Sequence, residues 1–226
     1  MSEMVTIESA AGQVSCYVAT PEAAEDAAPG VLVLHAWWGL TDHFKRVCDR
    51  LASQGYVALA PDLFNGETAD TPERAEELVK SSVAKDCFAR VSAALKHLKG
   101  LAPGKTGLVG FSFGSAYAVW IAAVQPQDVD AVVPFYTDTD DDVYSVKAPM
   151  QWHFAETDEF VPDEWREQFR QHITKSGRRD VEMHIYPGTQ HAFFNDDRPE
   201  VYAPEAARQA WDRTLALLRA RLAAPR

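Results

Sequence analysis

Thr106-Gly107-Leu108-Val109-Gly110-Phe111-Ser112-Phe113-Gly114 is the stretch on which the reading of this chain turns. Residues 106–111 have the length and apolar character of a buried strand. Residues 112–124 are small or apolar all round, as in a helix held between a sheet and its neighbours. The junction carries Gly-x-Ser-x-Gly. A sharp strand-to-helix turn crowds the backbone around the central serine, so both flanking positions call for glycine, and the hydroxyl is lifted above the sheet edge. A nucleophile needs that exposure.

Working outward, runs of strand length alternate with segments of helical period, the pattern of a mostly parallel sheet flanked by helices. Strands are expected near 5–7 and 14–18, then at 30–35, 56–60, 106–111, 131–136, 149–155 and 181–186. Helices are expected at 42–54, over 72–99 as one long or broken element, and at 112–124, 163–175 and 203–223. Neither repeats nor a linker interrupt the pattern, so residues 1–226 read as a single α/β domain.

A serine hydroxyl is a weak nucleophile at neutral pH. It needs a base within hydrogen-bond reach and a carboxylate to hold that base in the right tautomer. On a serine turn of this kind the acid and then the histidine follow the nucleophile in the chain. Among seven histidines, His191 lies in the loop after the last expected strand, where sites of such sheets gather. His35 ends a strand but precedes the serine, and suits backbone satisfaction better. His153 and His184 fall inside strands, and His43, His97 and His172 fall on helices and read as surface residues. Asp158 follows a strand directly and is the expected acid, with Glu156 and Glu159 as nearby rivals. The acidic run 138–142 lacks the spaced ligands and glycine of a calcium loop and reads as a solvated turn; no metal or cofactor is expected.

Composition bounds the rest. Lys plus Arg number 22 against 33 Asp plus Glu, a formal net charge of -11, and no basic stripe offsets it, so nucleic acid is an unexpected partner. Three cysteines, Cys16, Cys48 and Cys87, show no metal-knuckle or redox spacing and fit a reducing compartment. No basic leader followed by an apolar run opens the chain, and the longest apolar run, 116–124, is too short to cross a bilayer. A cytoplasmic protein with no membrane partner, monomeric or a small homo-oligomer, is the expectation.

With Ser112, Asp158 and His191 assigned, the chain resembles the dienelactone hydrolase family of α/β-hydrolases over nearly its whole length. The likeness is carried by His35-Ala36-Trp37-Trp38-Gly39-Leu40, by Gly55-Tyr56-Val57-Ala58-Leu59-Ala60-Pro61-Asp62-Leu63, by the serine turn, by Asp158 with Phe160-Val161-Pro162, and by His191-Ala192-Phe193-Phe194-Asn195. The resemblance implies an oxyanion hole from the backbone N–H groups of Trp37 and Phe113. The best-known members use a cysteine nucleophile with a glutamate in the preceding loop, where this chain has Ser112 and Ala36. Those members also hold a substrate carboxylate with arginines; Arg198 and Arg74 are the candidates near the expected loops, with Trp38, Phe160 and Phe193 as pocket aromatics. Only about a dozen residues separate the strands at 131–136 and 149–155, too few for a cap domain, which predicts an open, shallow site.

The expected function is therefore hydrolysis of a small carboxylic ester or lactone through an acyl-enzyme. Transfer to an alcohol or thiol on the same residues, as an acyltransferase or thioesterase, is the second reading. A catalytically silent fold used as a binding module is the third, and it would hold Ser112 more than about 4 Å from His191.

Overall fold

The computed structural model describes residues 1–22, 28–139 and 141–223. Its eight strands are β1 (Ser2–Ser9), β2 (Gly12–Ala19), β3 (Gly30–Leu34), β4 (Val57–Pro61), β5 (Thr106–Phe111), β6 (Ala131–Phe135), β7 (Met150–Thr157) and β8 (Val181–Gln190). They form one sheet in the order β1-β2-β4-β3-β5-β6-β7-β8. β1 and β2 make an antiparallel hairpin and β2 runs antiparallel to β4, while β4 through β8 are all parallel. Every residue of β3, β4, β5 and β6 is buried, which is why those segments read as unbroken apolar runs.

Among the described residues six α-helices cover the two faces: α1 (Asp42–Ala52), α2 (Pro72–Ser81), α3 (Ala84–Leu101), α4 (Phe113–Val124), α5 (Asp163–Ser176) and α6 (Pro204–Leu222). The Arg50 guanidinium of α1 lies 4.0 Å from the ring centre of Trp211 on α6, joining those two helices. α3 and α4 meet through Phe88 and Trp120, whose ring centres are 4.3 Å apart, and through the Gln125 amide, which donates to Ser92 Oγ. Close packing onto the sheet explains two glycines: a Cβ on Gly30 would press on Leu98 of α3, and one on Gly107 on Leu218 of α6. This is the α/β-hydrolase architecture.

At four places the structure sharpens or departs from the sequence expectations. The stretch expected as one long or broken helix is two helices, because Ser82 and Val83 adopt extended backbone between α2 and α3. β8 continues past Pro187-Gly188, a pair that reads as a turn. As the sheet's edge strand β8 tolerates proline, and pairing resumes at Thr157 and Gln190 after a register shift. His43, expected on the surface, is buried on the inner face of α1, with Nδ1 at 2.6 Å from Asp196 Oδ1. Within the acidic run, Asp140 lies outside the described residues, and residues 141–145 form a 3-10 turn.

Candidate active site

Register places the candidate side chains in two pairs. Phe111 of β5 pairs with Phe135 of β6, and Thr157 of β7 with Gln190 of β8. Ser112 and Tyr136 therefore leave the carboxyl edge of the sheet level with one another, and so do Asp158 and His191, while Thr157 lies four residues beyond His153, the partner of Phe135. That edge is where open parallel sheets hold their ligands.

Ser112 has φ 48° and ψ -116°, a conformation that side-chain-bearing residues rarely adopt. Its N–H donates to the Phe135 carbonyl at 3.0 Å, and its own carbonyl accepts from Ser115 N–H at 2.8 Å. The flanking glycines make this turn possible. A Cβ on Gly110 would stand 2.5 Å from Ser115 Cα, and one on Gly114 would stand 2.5 Å from the His35 carbonyl oxygen. Ser115 adds a brace, its Oγ donating to the Phe135 carbonyl and accepting from the Phe135 N–H at 3.1 Å each.

Ser112 Oγ lies 2.9 Å from His191 Nε2, and both carboxylate oxygens of Asp158 lie 2.9 Å from His191 Nδ1. The Asp158 side chain is 1% exposed and that of His191 13%. Asp158 also accepts from Phe160 N–H at 2.9 Å, a bond that orients the carboxylate. Of the two rivals, Glu156 is engaged elsewhere, accepting from Gly188 N–H at 2.9 Å, and Glu159 is exposed. The turn at the foot of this loop is pinned by Arg166 of α5, buried, which donates to the Ala155 carbonyl at 2.6 Å and to that of Glu156 at 3.3 Å.

The loop after β3 is held by His35, fully buried. Leu63 N–H donates to its Nε2 at 3.1 Å, so Nδ1 carries the proton and donates to the Ala36 carbonyl at 2.7 Å. Burial holds His35 neutral by lowering its pKa. The Gly39 N–H donates to the same Ala36 carbonyl at 3.2 Å, tightening the turn that contains Trp37.

Ser112 and His191 open into a cavity of about 660 Å³ that Trp37, Phe113 and Phe160 also line. Phe160, 46% exposed, stands edge-on to Trp37 at 5.6 Å and to His191 at 4.7 Å, roofing the imidazole. Four other expected pocket residues fall outside the lining. Phe193 is fully buried against Tyr136 and Tyr186. Trp38 is buried under Arg198, whose guanidinium lies 3.5 Å from its ring centre and donates to the Asp70 carbonyl. Arg74 faces Glu67 and Glu77 on the surface.

Several lining residues carry no sequence signal. Tyr136 takes φ 36° where it leaves β6; its ring stands 5.0 Å from that of His191, and burial, reinforced by the Asp158 charge, pushes its phenol pKa up. Pro72, Glu73, Glu76 and Val79 come from α2. A wall is thus supplied by a helix between β4 and β5, a contribution that the short β6–β7 connection does not reveal. Among the described residues no group of three or more His, Cys, Asp or Glu is arranged to hold a metal ion, and no helix is long and apolar enough to cross a membrane. Cys16, Cys48 and Cys87 are free and buried.

The fold and this serine turn at the sheet edge define an α/β-hydrolase-fold protein. The chain belongs to the dienelactone hydrolase family, which it matches over residues 14–222. It is 36% identical to "Protein usf" of Aquifex pyrophilus, covering 97% of this chain and 98% of that protein. It is 37% identical to the "Putative carboxymethylenebutenolidase" of Aquifex aeolicus, covering 94% and 95% respectively. Among solved structures, that of the "Putative Dienelactone Hydrolase" of Klebsiella pneumoniae superposes with a TM-score of 0.86 at 25% identity, covering 96% of this chain and 97% of that one. The protein is accordingly a member of a hydrolase family.

Proposed function

We propose that this chain hydrolyses small carboxylic esters or lactones through an acyl-enzyme on Ser112. The observation that carries the reading is the line from Ser112 Oγ through His191 to Asp158, each step 2.9 Å. His191 Nε2 takes the Ser112 proton as Oγ bonds to the substrate carbonyl carbon. Asp158 accepts from Nδ1–H, fixes the tautomer and stabilises the imidazolium. The tetrahedral intermediate places negative charge on the former carbonyl oxygen, and the N–H groups of Trp37 and Phe113 are assigned to receive it; such a donor typically contributes about 3 to 4 kcal/mol. The alcohol leaves with the proton from His191. Water then adds to the acyl group, giving a proton to His191 and releasing the acid as the proton returns to Ser112. In a lactone the alcohol stays tethered to the released acid.

A silent binding module would hold its serine and histidine apart, and the 2.9 Å contact argues for chemistry. The test is hydrolysis of 4-nitrophenyl butyrate by the wild type and by Ser112→Ala, with both folds checked by circular dichroism. Wild-type turnover that drops by three or more orders of magnitude in the variant is the expected result. Turnover retained by the variant would overturn the assignment of Ser112.

A further inference from the structure

The carboxylate-bearing substrate that the family resemblance brings with it meets the wrong charge in this cavity. Its lining contains Glu73 and Glu76 from α2 and Asp138 from the segment after β6, and no Lys or Arg among the described residues. Arg74 points to Glu67 and Glu77, and Arg198 to Trp38 and Asp70, so neither candidate for holding a substrate carboxylate turns into the space above Ser112. Lys80 pairs with Glu76 at 2.6 Å, and its side chain is 70% exposed. No ion pair reaches Glu73 among the described residues. Asp158 adds a further carboxylate next to His191.

We infer that the cavity selects neutral or cationic esters and disfavours anionic ones, with Glu73 and Glu76 as the specificity-determining residues. The inference rests on the ester-hydrolase reading of the same cavity. A substrate carboxylate in that space would face like charges with no guanidinium to receive it, whereas an ammonium group would be drawn to the α2 wall. A single charge about 6 Å from a unit charge in a water-like medium changes affinity on the order of threefold, more where the pair is partly desolvated. The effect fades as salt shortens the Debye length to a few ångströms.

The experiment compares three 4-nitrophenyl esters of similar reach: butyrate, the carboxylate-bearing hemisuccinate and the cationic 4-(trimethylammonio)butanoate. At low salt, kcat/KM is expected to rise from the hemisuccinate through the butyrate to the ammonium ester, with about tenfold or more between the extremes. The spread should collapse in about 0.5 M salt. Glu73→Gln/Glu76→Gln should shrink the ratio of the extremes by at least about threefold. Glu205→Gln/Asp212→Asn on α6, an equal change in net charge away from the cavity, should leave it alone. Binding of the same esters to Ser112→Ala reads cavity charge without turnover. If no ester is hydrolysed but their Kd values follow the expected order, the hydrolase reading falls and the charge selection stands. Equal or reversed order in binding, or a ratio unmoved by the Glu73/Glu76 change, overturns the inference.

Discussion

Ser112 holds its left-handed backbone only because its neighbours lack side chains in the directions that matter. Gly114 faces the end of β3, where a methyl group would stand 2.5 Å from the His35 carbonyl oxygen and collide with that of Leu34 as well. Relief would require α4 to back away from β3, moving the serine relative to the loop that His35 secures. Gly114→Ala is therefore expected to lower Tm by about 4 °C or more, at roughly 2 to 4 °C per kcal/mol for a chain of this size. Esterase activity should fall with it. Gly100 is the internal control: it lies within α3 with nothing near its would-be Cβ, and Gly100→Ala should raise Tm slightly, since alanine favours a helix by up to about 1 kcal/mol. Scanning calorimetry of the pair checks both. A Gly114→Ala protein as stable as wild type would mean that the turn has slack the close approach denies.

At the level of elements, α5 does more than cover the sheet. Its Arg166, 8% exposed, donates to the last carbonyls of β7 two and three residues before Asp158, and is also paired with Asp163 in its own first turn. Arg166→Met keeps the aliphatic stem but leaves the Ala155 and Glu156 carbonyls short of a donor. The loss of stability should be about 1 to 3 kcal/mol, because a buried acceptor without its partner carries its desolvation cost. The Asp158 loop would lose its anchor, so kcat should fall further than KM changes; an unchanged kcat would separate α5 from the site. These elements were largely legible in the sequence. The strand ending at Ser112 announces itself because a buried parallel strand is apolar throughout, whereas the partly exposed edge strand β8 is legible only over 181–186, and chain order then singles out the acid and the histidine. What escaped is what depends on long-range placement: α2 reads as an amphipathic surface helix, and nothing in Pro72 to Val79 says that it walls a cavity made by β5, β6 and β8. Tyr136 is equally silent, since its contact with His191 arises only when the segment after β8 returns across β7 to the end of β6. His43 misled for the same reason, its burial being set by the Asp196 loop far along the chain.

Across the whole molecule, three histidines are buried without being part of the proposed chemistry, and burial lowers the pKa of each: His35, His43 and His153. His153 is the clearest case, fully buried on β7, stacked 4.4 Å from Phe135, with Nδ1 at 2.7 Å from the Tyr186 hydroxyl and Nε2 at 3.2 Å from that of Thr214. Desolvation disfavours its charged form, and the neighbouring His184 and Arg213 add to the effect. In the unfolded chain such a histidine takes up a proton near pH 6.5, whereas in the folded chain it stays neutral to lower pH. Below pH 6.5 the unfolded state binds more protons, so stability falls as pH falls, each such group adding a slope approaching 1.4 kcal/mol per pH unit until its folded pKa is reached. Above about pH 7 these groups contribute no slope. His153→Phe retains an aromatic ring against Phe135 and removes the titration, while leaving the Tyr186 and Thr214 hydroxyls without the imidazole. It should cost about 1 to 3 kcal/mol at pH 7.5 and flatten the decline between pH 6.5 and 5. Urea unfolding at a series of pH values reads both, and the slope is the decisive quantity: if wild type and variant decline in parallel, the acid sensitivity of the fold comes from groups other than His153.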